Sequence, residues 1–169
     1  MSDTAIIWSP GLGRGDWNLQ ATQLQTGNDL TTAVLISLFT DRQANPDDII
    51  PDGTNDPRGW WGDDATRPIG SRLWLLSRVK QTTKTLARAQ DYIAEALKWL
   101  IDDGVVARFD ITTEWTKPGF LGANVIAYEK SGAAIALNSS AVWTGVSSGV
   151  LLTPNISKSL GMSLIFFPY

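Results

Sequence analysis

The chain has 169 residues, a formal net charge of −3, 43% hydrophobic and 18% charged side chains, and neither cysteine nor histidine. That size and balance fit one domain, or one domain with an appendage, able to bury a core. They exclude disulfides, thiolate nucleophiles, cysteine- or histidine-based metal sites and a histidine general base, and an acidic chain is a poor match for nucleic acid.

The opening MSDTAIIW has no basic region and no long apolar stretch, so no signal peptide is expected, and no run of about 18 apolar residues marks a membrane span. Residues 4–8 (TAIIW) and 16–20 (DWNLQ) are short and β-like, joined by the turn-rich SPGLGRGD. The Arg14-Gly15-Asp16 tripeptide resembles an integrin ligand, but a match of three residues is expected by chance. In residues 28–41, Leu30, Val34 and Leu38 recur at helical spacing and Asn28 or Asp29 can cap the start, which predicts a largely buried helix.

Residues 41–68 hold seven aspartates and four prolines, the composition of a long irregular loop. A short helix is expected over 69–80, begun at Ser71. Residues 81–104 read as a long amphipathic helix with a stripe of Leu86, Ala89, Ile93, Leu97 and Leu100. Thr82 or Thr83 can cap its start, and Gly104 suits the position after its end. Strict alternation over 105–115 sets Val105, Ala107, Phe109, Ile111 and Trp115 against Arg108, Asp110, Thr112 and Glu114, a half-buried strand. Residues 116–119 (TKPG) form a turn, and 120–130 return as the partner strand. The order of hairpin, helices and hairpin predicts an α+β domain, an antiparallel sheet with helices packed on one face. Beyond Lys130 the only charged residue is Lys158, so the strand-like end SLIFFPY is expected to pair with this sheet or with a neighbour's.

Chemistry has few candidates. The aspartate-rich loop offers hard oxygen ligands for calcium, but its spacing matches no EF-hand, and Arg42, Arg58 and Arg67 stand ready as charge partners. A glycosidase needs two carboxylates across a cleft. The only glutamates are Glu95, Glu114 and Glu129, on a helix face, a polar strand face and a strand end. Gly11 to Gly15 lacks the Lys-Ser/Thr end of a phosphate-binding loop. The distinctive residues are instead arginines and eight tryptophans, which favour binding surfaces.

Four runs carry a family resemblance: DLTTAVLISLFTDRQA (29–44), DGTNDPRGWWGD (52–63), GSRLWLLSRVKQT (70–82) and DYIAEALKWLIDDGVV (91–106). In order and spacing, from about residue 3 to residue 137, the chain resembles the baseplate wedge proteins of Mu-like contractile-tailed phages. These are similar in turn to a broader wedge family named lysozyme-like. In that family's pattern Thr40-Asp41-Arg42 falls at a Thr-x-x-Gly-Glu-Arg turn, Trp61-Gly62 at a Phe-Gly, and Gly70 to Leu73 at a Gly-x-x-Leu step. Asp102-Asp103-Gly104 stands where the family has Glu-Pro-Arg, and no catalytic pair carries over.

The resemblance implies a non-enzymatic virion part of the tail baseplate, assembled in the host cytoplasm without cofactor or metal. It would dock on a bundle of other wedge proteins, sit in multiple copies in a ring, and offer a sheet edge on which the sheath starts. Its partners would be wedge proteins and sheath or tube subunits, with neither nucleic acid nor membrane. Residues 1–137 would be the wedge domain and 138–169 a low-charge extension. The alternative is a tail-associated, carboxylate-dependent glycan hydrolase; a third reading is a calcium-stabilised adaptor.

Within this frame Arg58, Trp60, Arg72, Asp102 and Asp103 are expected to contact partners, and Trp61, Gly62, Gly70, Leu73 and Trp74 to serve the structure. Neighbours in an extended loop face opposite ways, so Trp61 is expected inward and Trp60 nearer the surface.

Overall fold

The computed structural model describes residues 6–9, 14–17, 19–20, 23–24, 29–64, 66–117, 120–135, 137, 141–142 and 162–166. The chain opens with two small antiparallel pairs. Strands β1 (Ile6–Ser9) and β2 (Arg14–Trp17) form the first, and β3 (Leu19–Gln20) and β4 (Gln23–Leu24) the second. Arg14, Gly15 and Asp16 therefore lie in a paired strand, opposite Ser9, Trp8 and Ile7.

Helix α1 (Asp29–Phe39) is buried on most sides, and only Asp29 and Ile36 are exposed. Asn28, the other expected cap, lies outside the described residues. The run Leu73–Leu76 makes one turn of 3-10 helix rather than a helix over 69–80. Its limits have local causes. Gly70 takes a positive φ before it, Ser77 is extended after it, and Arg78 turns to φ +66°. A tight turn also lets four successive side chains, Leu73, Trp74, Leu75 and Leu76, all be buried.

Helix α2 (Thr83–Asp102) is the scaffold. Thr82 Oγ1 accepts the Thr85 N–H at 3.2 Å as its N-cap. Gly104 follows the C-cap Asp103 at φ +71°. Ala89, Tyr92, Ile93, Ala96, Leu97 and Leu100 are buried, while the predicted stripe's first member, Leu86, is partly buried.

Strand β5 (Arg108–Lys117) pairs antiparallel with β6 (Phe120–Tyr128), with a bulge between Trp115 and Lys117. Residues 118–119, within the expected turn, lie outside the described residues. Phe109, Ile111, Thr113 and Trp115 share a face with Ala127, Val125, Ala123 and Leu121. This is the face α2 covers: Thr113 Oγ1 donates to Leu86 O at 3.1 Å, and Gln90 Nε2 donates to Ile111 O at 3.0 Å. Arg108, Asp110, Thr112 and Glu114 are exposed on the other face. The alternation departs from expectation at its start. Val105 is exposed and Val106 buried, because the chain is still turning out of α2 there and the strand begins at Arg108.

Three short strands complete the sheet. β7 (Ala134–Ile135) and β9 (Met162–Phe166) both pair antiparallel with the far side of β6, and β8 (Ala141–Val142) pairs with β9 in parallel. The strand order β5-β6-β9-β8 leaves β5 as one outer edge among the described residues. The architecture is α+β, with the helices on one face of a mainly antiparallel sheet.

Candidate functional site

Between α1 and the 3-10 turn runs a long loop whose ends meet. Asp41 and Ser71 form a parallel bridge. The Arg42 N–H donates to Ser71 O at 3.0 Å and the Ser71 N–H to Thr40 O at 2.9 Å, while Ser71 Oγ donates to Leu38 O at 2.7 Å. Gly70 permits this closure. Its φ is +100°, and a Cβ there would stand 2.4 Å from Thr40 O.

Irregular backbone leaves N–H groups without ladder partners, and the aspartates supply them. Asp48 accepts from Asn45 N–H, Asp52 from Thr54, Asp56 from Arg58, Asp63 from Ile69 and Asp64 from Thr66, all at 2.8–2.9 Å. The acidic composition thus has a structural account as a set of loop caps. Among the described residues no group of three or more acidic side chains converges to hold a metal ion.

Arginines then tie the loop to the core. Arg72 donates through Nε to Glu95 Oε2 at 3.0 Å and through Nη1 to Asp48 Oδ2 at 2.8 Å, and its guanidinium lies 4.7 Å from the Tyr92 ring centroid. Arg42 approaches the other Glu95 oxygen at 3.6 Å. Burial alone would raise the Asp48 pKa. Hydrogen bonds from Arg72 and the Asn45 N–H, with the charges of Arg72 and Arg88, overcome it and hold the carboxyl below its ordinary value. Arg58 reaches back to Asp41 at 2.9 Å and stacks 4.6 Å from the Trp74 ring centroid. It does so at φ +52°, a conformation that costs a bulky side chain about 1 kcal/mol and is held by these contacts. Trp74 is buried, and its indole N–H donates to Arg42 O at 2.8 Å. Arg67 binds both Asp103 oxygens, at 2.7 and 2.9 Å, fixing the loop's far end to the end of α2. Asp102 pairs with Lys98 one turn back.

The expected partner contact at Arg72 is therefore replaced by an internal one: only 15% of its side chain is exposed, and its charge is matched within the chain. Glu95 serves this clamp, while Glu114 stands on the opposite, polar face of the sheet, so the two do not share a cleft.

The tryptophans are reversed from expectation. Trp60 is 46% exposed and Trp61 94% exposed. The extended-chain alternation does not apply, because Asp63 N–H bonds to Trp60 O at 3.0 Å and closes a turn there. Gly62 decides which indole folds down. A Cβ on it would lie 2.9 Å from the Trp60 ring, so the missing side chain makes room for Trp60 and leaves Trp61 projecting. The two rings are tilted, with centroids 5.8 Å apart. Ile49, at 87% exposure, and Ile69, at 42%, are further exposed apolar side chains on the loop that the sequence pattern did not single out. Trp99, at the edge of the α2 stripe, is partly exposed and bonds through its indole N–H to Ser37 Oγ at 2.9 Å.

The family model described as Phage protein GP46 matches residues 30–134, which span α1, the loop, α2 and the β5–β6 hairpin. The chain is 46% identical over 147 residues to "Baseplate protein gp46" of Escherichia phage Mu, covering 86% of this chain and 100% of that protein. It is 43% identical over 107 residues to "Mu-like prophage FluMu protein gp46" of Haemophilus influenzae (strain ATCC 51907 / DSM 11121 / KW20 / Rd), covering 62% of this chain and 70% of that protein. The chain belongs to the phage GP46 family.

Proposed function

We propose that this GP46-family chain is a structural, non-enzymatic component of a contractile-tail baseplate in the virion. It docks on larger wedge proteins and presents an edge of its sheet on which the tail sheath starts. The baseplate role is supported by the identity to the phage Mu baseplate protein along that protein's full length.

The edge reading is supported by one observation above others: β5 is ten residues long and is paired on one side only among the described residues. Ile111 O points away from β6, since it accepts from Gln90 on α2. By the alternation of an antiparallel ladder, the backbone groups of Phe109, Thr113 and Trp115 face the same way. An added strand would bond to these groups, and main-chain hydrogen bonds would give it affinity. The bulge at Trp115/Lys117 limits how far such pairing can run. Trp60, Trp61, Arg58, Asp102 and Asp103 form the surface through which the chain meets neighbouring baseplate subunits.

Thr113→Pro tests the edge. It removes an outward N–H that the β5–β6 ladder does not use. The expected outcome is a variant that stays folded, melting lower for the lost Thr113–Leu86 bond, and enters baseplates on which no sheath grows. Normal sheath growth on baseplates containing it would refute the edge reading.

A further inference from the structure

We propose that copies of this chain meet head to tail. The Trp60–Trp61 turn and its carboxylates, on the loop that Arg67 ties to the end of α2, dock on the cationic segment 78–88 at the N-terminal end of α2 in the next copy. This rests on the baseplate reading above, which supplies the neighbouring copies.

The charge order along α2 carries the argument. A helix is stabilised by acidic side chains in its first turn and basic ones in its last. This helix has neither. Instead Lys84 sits in the first turn, preceded by Arg78 and Lys80 and followed by Arg88, whereas Asp102 and Asp103 close the other end. Lys84 in the first turn and Asp102 and Asp103 at the end oppose the helix dipole.

From Ala65 to Gln90 the chain contains no acidic residue. Arg67 and Arg72 in that stretch are paired, as described. Arg78, Lys80, Lys84 and Arg88 are exposed, and none forms an ion pair among the described residues. On the loop Asp63 and Asp64 accept hydrogen bonds only from backbone and hydroxyl groups. Neither forms an ion pair among the described residues, although the charge of Arg67 acts on Asp64, and both follow two exposed indoles in the chain.

The two surfaces complement each other chemically. Exposed indole faces attract desolvated cations, and carboxylates on the rim attract the same groups. Stacking of this kind already recurs within the chain, in Arg58 on Trp74, Arg72 on Tyr92 and Arg108 on Tyr128. Among the described residues no ion pair or cation–ring contact joins the Trp60–Trp61 turn to segment 78–88 within one molecule. The proposed contact is made in trans, and a head-to-tail contact of unlike surfaces is the type that closes into rings.

The absence of cysteine makes the test direct. Tails assembled with a chain carrying Thr66→Cys and Lys84→Cys, which keeps both indoles, are treated with a short bis-maleimide. The expected result is a ladder of covalent dimers and higher multiples, absent with either single variant. Baseplates that contain the double variant but yield only monomer would overturn the head-to-tail contact and leave the baseplate reading standing. Absence of the wild-type chain from purified baseplates would overturn both.

Charge reversal adds a second arm. Lys80→Glu with Lys84→Glu should lower incorporation by about tenfold, because like charges then face each other. Adding Asp63→Lys and Asp64→Lys should restore it, with melting temperatures showing that each variant is folded. No restoration between folded chains would refute the contact.

Discussion

The helix–sheet core and the loop between Asp41 and Ser71 are ordered by different forces. The core is apolar: Ile93, Leu97 and Leu100 of α2 and Val125 and Ala127 of β6 are almost wholly buried. The loop has little such burial. It is held by closure at Gly70 and Ser71, by aspartates that accept its backbone N–H groups, and by arginines bonded to carboxylates across the chain. Apolar burial is insensitive to pH and weakly sensitive to salt, whereas charge-assisted bonds depend on ionisation and are screened. The chain thus joins an apolar core to a loop whose bonds respond to pH and salt.

Substitutions and pH separate the two regions. Leu97→Ala should cost about 2–5 kcal/mol in chemical unfolding, with the same loss at low and high salt. Gly70→Ala should cost roughly 3 kcal/mol, since the new Cβ meets Thr40 O and the backbone keeps a positive φ. Arg72→Leu leaves Asp48 and Glu95 half-buried without their main partner, and should cost about 2 kcal/mol, a loss that shrinks in high salt. Equal salt dependence for Leu97→Ala and Arg72→Leu would erase the distinction.

Acid should act on the loop first. Asp48, Asp52 and Asp64 all have folded pKa values below the ordinary 3.8. For Asp48 the hydrogen bonds to Arg72 and Asn45 outweigh burial, and for Asp52 and Asp64 the Thr54 and Thr66 N–H groups come first. The native state therefore binds these protons less readily than the unfolded chain. The stability they confer is complete above the ordinary aspartate value and is lost as pH falls through the lower native values. Urea midpoints measured down to about pH 2 should show this decline, and Asp48→Asn should flatten part of it.

The smallest effect is expected at the most conspicuous residue. Trp60→Ala should cost about 1 kcal/mol, since part of its ring packs over Gly62, whereas Trp61→Ala should stay within about 0.5 kcal/mol. Trp61→Ala should still weaken assembly into baseplates. A melting loss for Trp61→Ala as large as that for Trp60→Ala would place the exposed indole in the fold after all.

How far the sequence could be read follows the range of the interactions. The stripe of α2, its Thr82 cap and the alternation of β5 are local patterns, repeating every three to four residues or every two, and the structure reproduces them. The loop's partners are remote. Arg58 meets Asp41 across 17 residues, Arg72 meets Glu95 across 23, and Arg67 meets Asp103 across 36. No periodicity pairs them. The same holds for the two indoles, whose order depends on a turn at Trp60–Asp63 and on the space over Gly62.

By itself the sequence determined an α+β chain without histidine or cysteine chemistry, its principal helix and hairpin, and its resemblance to a phage baseplate family, because these rest on composition and short-range periodicity. Only the tertiary structure decided that Arg72 serves the fold, that Trp61 projects further into solvent than Trp60, and which of the charges near the two ends of α2 find partners. Those outcomes depend on which distant groups the closed loop brings together and which it leaves without partners.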